Sequence, residues 1–181
     1  MMMDSPAALI FDLDGTLLDT EPLYTKATQR VLDAYGVTFT MELKQQIMGG
    51  DSIAGALTVI RHFELPLTPE AYLKERESHL LKLFLDAPEI PGAADFVRSF
   101  AGKIPMGIAT SSHKYLYDIK MRHRDWNLFD SIICGDDARL KRGKPEPDIF
   151  LLCAADLGVA PADCVAFEDS RNGLLAAKAA G

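Results

Sequence analysis

The stretch LIFDLDGTLLDT, residues 9–20, decides how the rest of this chain is read. Leu9, Ile10 and Phe11 form a short apolar run of the kind that makes a buried strand. Asp12 and Asp14 follow at i and i+2, so their side chains share a face only where the strand is ending. Two like charges that close repel, and neither is easily desolvated without a cation between them. The pair asks for a metal ion, a shared proton or open water.

A strand closed by an Asp-Gly turn would account for the pattern with no chemistry at all. An EF-hand calcium loop would not, because it needs glycine at its sixth position and glutamate at its twelfth. Here Gly15 is fourth counted from Asp12, Leu23 is twelfth, and a strand stands where the entering helix belongs. A third reading puts the carboxylates at the carboxyl end of a parallel strand, where open α/β sheets bind their ligands. The remainder of the chain separates the first reading from the third.

Composition narrows the classes. A chain of 181 residues with 48% hydrophobic and 25% charged residues can bury a real core. Its net charge of −7 argues against nucleic acid or an anionic membrane surface as partner. No apolar run approaches a membrane span, and the start MMMDSPAAL has neither a basic n-region nor a cleavage site. Cys134, Cys153 and Cys164 form no C-x-x-C pair and fit buried thiols in a reducing cytoplasm. His62, His79, His113 and His123 make no H-E-x-x-H and read as surface or helix-packing residues.

Beyond Asp19 the texture turns helical. Leu23, Ala27, Val31 and Ala34 recur at helical spacing over 21–35 and are closed by Gly36. Further helices are expected over 41–48, 52–63 and, from a Thr68-Pro69-Glu70 start, to about Phe84. From Pro91-Gly92 helix and strand alternate: helix 93–100, strand 104–109, helix 113–124, strand 132–134, helix 148–157, strand 164–167, helix 171–180. Alternation of this kind implies right-handed crossovers and a parallel sheet. The expected fold is therefore α/β, a doubly wound parallel sheet interrupted after its first strand by a helical block. The core is expected over 1–19 and 89–181, and the helical insertion over 20–88.

Each later strand ends in polar residues: IPMGIA runs into Thr110-Ser111-Ser112, and CVAF into Glu168-Asp169-Ser170. Between them GKPEPD holds Lys144 in a proline-stiffened loop. A parallel sheet would gather these ends on one edge. Paired carboxylates, hydroxyl and backbone donors, and a lysine suit phosphoryl transfer. Against this stands the plainer possibility that Thr110 caps the following helix and that Lys144 is a solvated surface lysine.

In order, FDLDGT, ATSS, GKPEPD and FEDS, spanning residues 11–170, resemble the four signatures of the haloacid dehalogenase (HAD) superfamily phosphohydrolases. The resemblance implies a HAD-like Rossmannoid core, Mg²⁺ as cofactor, a small phosphorylated metabolite as substrate, and an aspartyl-phosphate intermediate. It implies Asp12 as nucleophile and Asp14 as general acid–base. Thr110 and the Ser111 N–H would hold phosphoryl oxygens, with Lys144 offsetting charge on Asp12 and the phosphate. Asp12, Asp169 and the backbone carbonyl of Asp14 would ligate Mg²⁺, with Glu168 close by, directly or through water. The 20–88 block resembles the family's small helical cap, in which Glu21 and Met48-Gly49-Gly50 are candidate specificity contacts. DTEPLY, the Met-Gly break, ATSSHK and GKPEPDIFLLCAADLG resemble most the branch containing pseudouridine-5'-phosphatase and β-phosphoglucomutase.

The family continues into a further strand where this sequence ends at Ala180-Gly181, so the final core strand is expected to be missing and CVAF to be an unprotected edge. A β-phosphoglucomutase-type mutase shares every core motif, and a catalytically silent binding module would keep the fold. A dehalogenase is disfavoured by Asp14, and the intact set Asp12, Asp14, Lys144 and Asp169 argues against silence. The overall expectation is a cytoplasmic phosphatase, monomeric or weakly dimeric, with no nucleic-acid or membrane partner.

Overall fold

The computed structural model describes residues 5–47 and 52–181. In chain order the elements are β1 (Ala8–Phe11), α1 (Glu21–Asp33), α2 (Met41–Ile47), α3 (Ser52–His62), α4 (Pro69–Phe84), α5 (Ala93–Phe100), β2 (Met106–Ala109), α6 (Lys114–Met121), β3 (Ser131–Ile133), α7 (Asp148–Asp156), a 3₁₀ turn (Pro161–Asp163), β4 (Cys164–Phe167) and α8 (Arg171–Ala180). The four strands are all parallel, in the order β3-β2-β1-β4.

β1 is apolar at every position because both faces of the sheet are covered. Ile10 packs on one face with Ile149, Phe150 and Ala154 of α7 and Ala176 of α8. Phe11, of opposite parity, stacks on Phe167 at 4.7 Å and meets Phe96 of α5 edge-on at 6.1 Å. Helices on both faces make the sheet doubly wound. Among the described residues β4 is its outer strand, with Val165 41% exposed, and no described strand pairs with its far edge. Among the described residues, no helix is long and apolar enough to cross a membrane.

Several boundaries differ from the sequence expectation. β2 starts at Met106 rather than Ile104, since Pro105 has no N–H for a ladder and restricts the residue before it; its carbonyl still accepts from Leu9 N at 3.0 Å. α6 stops at Met121 rather than 124. There Arg124 folds back, and its Nε donates to the Lys120 carbonyl at 2.9 Å. β3 begins one residue early, at Ser131.

The described chain divides into two compact units, residues up to Thr20 with Ala87–Gly181, and Glu21–Asp86. The two connections run side by side: Asp19 N donates to Pro88 O at 2.8 Å and Ile90 N to Leu17 O at 2.9 Å. Glu89 is clamped there by Trp126 Nε1 at 2.7 Å and Arg124 Nη1 at 2.6 Å. The helical unit has its own core of Val31, Leu32, Leu43, Ala56, Val59, Ile60, Leu65 and Tyr72. Its longest helix, α4, begins where Thr68 accepts from Ala71 N at 3.2 Å, with Pro69 in the first turn, where a missing N–H costs nothing.

Candidate active site

Three neighbouring strands deliver the site. β1 ends into Asp12, whose N–H donates to Phe167 O at 2.9 Å and so continues the ladder one residue past the strand. β4 ends into Glu168 and Asp169, and β2 into Thr110, Ser111 and Ser112. Because the strands are parallel, these ends share one edge of the sheet.

The chain after Asp12 turns tightly, with Gly15 N donating to Leu18 O at 2.7 Å and Leu18 N to Leu13 O at 3.0 Å. Gly15 sits at φ +91°, and a Cβ there would lie 2.1 Å from Asp169 Oδ2. Glycine is thus required twice at this position, by the backbone and by the space.

Asp12, Glu168 and Asp169 each offer a carboxylate oxygen, all within 4.8 Å of one another. Lys144 reaches in from the loop that precedes α7, its side chain only 5% exposed. Its Nζ lies 2.6 Å from Asp12 Oδ1 and also bonds Glu168 Oε1. The other oxygen of Glu168 accepts from Ser170 N and Ser170 Oγ, both at 3.0 Å. Burial pushes the Asp12 carboxyl up to about 7; Lys144 opposes that rise, while Glu168 and Asp14 add to it. Asp169 is also raised, by burial first and then by the charge of Glu168. Three carboxylates with one ammonium among them leave a deficit of positive charge. Hard oxygen donors so arranged fit Mg²⁺, which prefers carboxylates and water to nitrogen or sulfur ligands.

Asp14 takes no part in that cluster with its side chain. Lys120 Nζ bonds both of its carboxylate oxygens, Oδ1 at 2.6 Å and Oδ2 at 2.7 Å, and Ser112 Oγ donates to Oδ2 at 2.7 Å. Thr110 is buried, and its Oγ1 accepts from Ser112 N at 3.1 Å, closing the turn after β2. Ser111 is exposed, and its carbonyl backs onto Gly135, where a Cβ would come within 2.3 Å. Glu21 lies in the helical unit, in the first turn of α1, ion-paired with Lys44 at 3.0 Å. Met48-Gly49-Gly50 falls outside the described residues.

Of the residues singled out in the sequence, the structure brings together Asp12, Lys144, Glu168 and Asp169. It sets Asp14 beside them on separate partners. Ser112 and Lys120, which hold Asp14, were not foreseen. A signal existed for Lys120: on α6 it falls on the buried face with Tyr117 and Met121, where a lysine implies an anionic partner.

A parallel sheet carrying an acidic cluster and a buried lysine at its carboxyl edge defines a phosphoryl-transfer type of hydrolase fold. The family model for haloacid dehalogenase-like hydrolases matches residues 6–181, and the chain belongs to that family. It is an enzyme of the phosphatase class. A Drosophila melanogaster protein named "Probable pseudouridine-5'-phosphatase" is 42% identical over 178 residues, covering 95% of this chain and 77% of its own. The fructose-1-phosphate phosphatase of Escherichia coli is 36% identical over 181 residues, covering 99% of this chain and 95% of its own. A Thermotoga maritima crystal structure, assigned provisionally as a β-phosphoglucomutase, superposes with a TM-score of 0.82 at 37% identity, covering 96% of this chain and 81% of that one.

Proposed function

We propose that the protein is a Mg²⁺-dependent phosphomonoester hydrolase acting on small phosphorylated metabolites, sugar phosphates or nucleotide-like esters, through an aspartyl-phosphate. The observation that carries this reading is Lys144 lodged between Asp12 and Glu168, with Asp169 completing the oxygen cluster.

Asp12, Asp169 and the Asp14 backbone carbonyl would hold the metal, with Glu168 contributing directly or through water. When bound, Mg²⁺ supplies positive charge beside the transferring phosphoryl group. Asp12 attacks phosphorus, forming its O–P bond as the ester P–O bond breaks. The departing alkoxide takes a proton from Asp14, which later removes a proton from the water that attacks the acyl phosphate. The P–O bond to Asp12 then breaks, restoring its carboxylate and releasing inorganic phosphate. Lys144 supplies charge to Asp12 and the phosphoryl oxygens. Thr110 Oγ1 accepts from Ser112 N, so its own hydrogen is left to donate to a phosphoryl oxygen, alongside the Ser111 N–H.

The helical unit, inserted between β1 and β2, serves in this reading as a cap that selects the leaving group, with Glu21 and the Met48-Gly49-Gly50 segment among its contacts. Grafting this unit onto a related core should carry substrate preference with it and leave metal dependence behind. The enzyme would work in a reducing cytoplasm as a monomer or weak dimer, which suits its three free cysteines.

Phosphate release measured across a panel of sugar phosphates and nucleotides, with Mg²⁺ and then with EDTA, tests the proposal. Turnover of at least one ester that stops in EDTA and returns with Mg²⁺ supports it; full activity in verified metal-free buffer refutes the metal assignment. A mutase reading is favoured by the Thermotoga neighbour. It predicts a rearranged sugar phosphate with little free phosphate, so the same assay separates the two.

A further inference from the structure

We propose that Lys120 is a positioning residue for Asp14, holding the proton-transfer carboxylate in line through a closed set of contacts completed by Ser112; this rests on the phosphatase reading above. Lys120 lies on α6, and its side chain is 0% exposed. It occupies a slot on the buried face beside Tyr117 and Met121, where a leucine or methionine would pack at no electrostatic cost. Burying an ammonium costs several kcal/mol unless its charge is met. Here it is met by Asp14 at both oxygens.

The contacts close on themselves. Lys120 Nζ donates to Asp14 Oδ1, to Asp14 Oδ2, and at 2.8 Å to Ser112 Oγ, which in turn donates to Asp14 Oδ2. Asp14 itself is 23% exposed and sits on the turn held open by Gly15. Without these partners its carboxylate would be free to rotate between solvent and the acidic cluster. The two lysines thus divide the two aspartates: Lys144 serves Asp12, and Lys120 serves Asp14. The base of Lys120 is itself fixed, because Arg124 Nε bonds its carbonyl and Arg124 Nη1 bonds Glu89.

The test compares Lys120→Met, Ser112→Ala, Asp14→Asn and the Asp14→Asn/Lys120→Met double variant with the parent. Ester cleavage is followed in single turnover, with fructose 1-phosphate and with p-nitrophenyl phosphate. A misplaced catalytic group costs on the order of 10²-fold, so Lys120→Met should slow fructose 1-phosphate cleavage by about 10- to 100-fold with half-saturation little changed. The loss should be several times smaller on p-nitrophenyl phosphate, whose leaving group needs little protonation. The double variant should be no slower than Asp14→Asn alone, since a residue acting through Asp14 has nothing further to lose. Ser112→Ala should show the same pattern at smaller amplitude, and it decides the matter if Lys120→Met does not fold. Equal losses on both esters, or losses that multiply in the double variant, overturn the proposal while leaving the phosphatase reading intact. A folded parent that releases phosphate from neither ester, nor from any other in the panel, sinks both together.

Discussion

Lys144 Nζ lies 2.6 Å from Asp12 Oδ1 although 132 residues separate the two in sequence. The same ammonium bonds Glu168, so one cation stands among carboxylates that are nearly sealed from water: Asp12 at 9% side-chain exposure and Glu168 at 2%. In such surroundings the pairing is a condition for the site to exist, as well as an aid to its chemistry.

Removing that ammonium should therefore show in stability before it shows in rate. Breaking a buried ion pair by deleting one partner costs about 3–5 kcal/mol. Lys144→Met should melt markedly earlier than the parent in EDTA, and added Mg²⁺ should recover part of the difference by replacing the missing charge. Its kcat/KM should fall by roughly 10²–10³-fold even with metal present, as for loss of one fixed charge-stabilising donor. Lys144→Arg should not restore the parent, since the planar fork is no substitute for a point charge in this slot. Paired melts and steady-state rates decide it; a Lys144→Met protein with parental stability in EDTA would contradict the pairing argument.

Metal binding should be visible without turnover. A ligand at about 100 times its Kd stabilises the folded state by roughly 2.7 kcal/mol, which for a chain of this size is about 2–4 °C per kcal/mol. Mg²⁺ should thus raise the parent's Tm by several degrees, and Asp169→Asn should remove most of that rise while leaving the metal-free Tm close to the parent's. Calcium should also bind yet inhibit, because its larger and looser coordination shell misplaces the nucleophile. Equal stabilisation of parent and Asp169→Asn by Mg²⁺ would place the metal elsewhere.

Much of this fold was written in local patterns. ALIF is apolar at every position because β1 has neighbours on both faces, and such a run announces itself. CVAF reads the same way in sequence although Val165 and Ala166 are exposed on the outer strand and only Phe167 stacks on Phe11. Thr68-Pro69 marked the start of α4 through cap chemistry that needs only adjacent residues. Lys144 was legible because GKPEPD stiffens its loop, but its sharing between Asp12 and Glu168 was not, since no local rule relates residues so far apart. Lys120 was missed for a related reason. Its place on the buried face of α6 implies an anionic partner without naming one, and that partner, Asp14, lies 106 positions away. The Glu89 clamp by Trp126 and Arg124 is equally a product of tertiary contact.

Gly173 provides a test in which the usual sign reverses. It lies inside α8, where replacing glycine by alanine normally stabilises a helix by about 0.8–1 kcal/mol. A Cβ at this position would come within 1.8 Å of the Glu168 carboxylate, which tucks against the helix start and accepts from Ser170. Gly173→Ala should therefore lower Tm and push Glu168 off Lys144, weakening activation by Mg²⁺. Thermal melts with a Mg²⁺ titration of phosphatase rate read both effects. A more stable Gly173→Ala protein with parental Mg²⁺ response would show that Glu168 can move aside freely.

The sharpest expectation concerns the two aspartates that opened the sequence. Asp12 is buried beside Lys144, within the acidic cluster; the Asp14 carboxylate instead faces Lys120 and Ser112. If Asp12 is the nucleophile, Asp12→Asn should abolish turnover of every ester, because no bond to phosphorus can then form and break. Asp14→Asn should keep substrate and metal binding, since the proposed metal contact of Asp14 is its backbone carbonyl. Its loss should fall toward the upper part of the 10²–10⁴-fold range typical of general acid–base groups for an alkyl phosphate, whose alkoxide leaves poorly without a proton. With p-nitrophenyl phosphate the loss in ester cleavage should shrink, provided breakdown of the acyl phosphate is followed separately by acid quench. Asp14→Asn should then accumulate phosphoryl-enzyme from the aryl ester, because the same residue is needed to activate water in the second half. An Asp14→Asn protein that cleaves an alkyl phosphate at the parental rate would end the assignment, whereas one that is equally slow on both esters would move Asp14 from proton transfer to simple support of the loop.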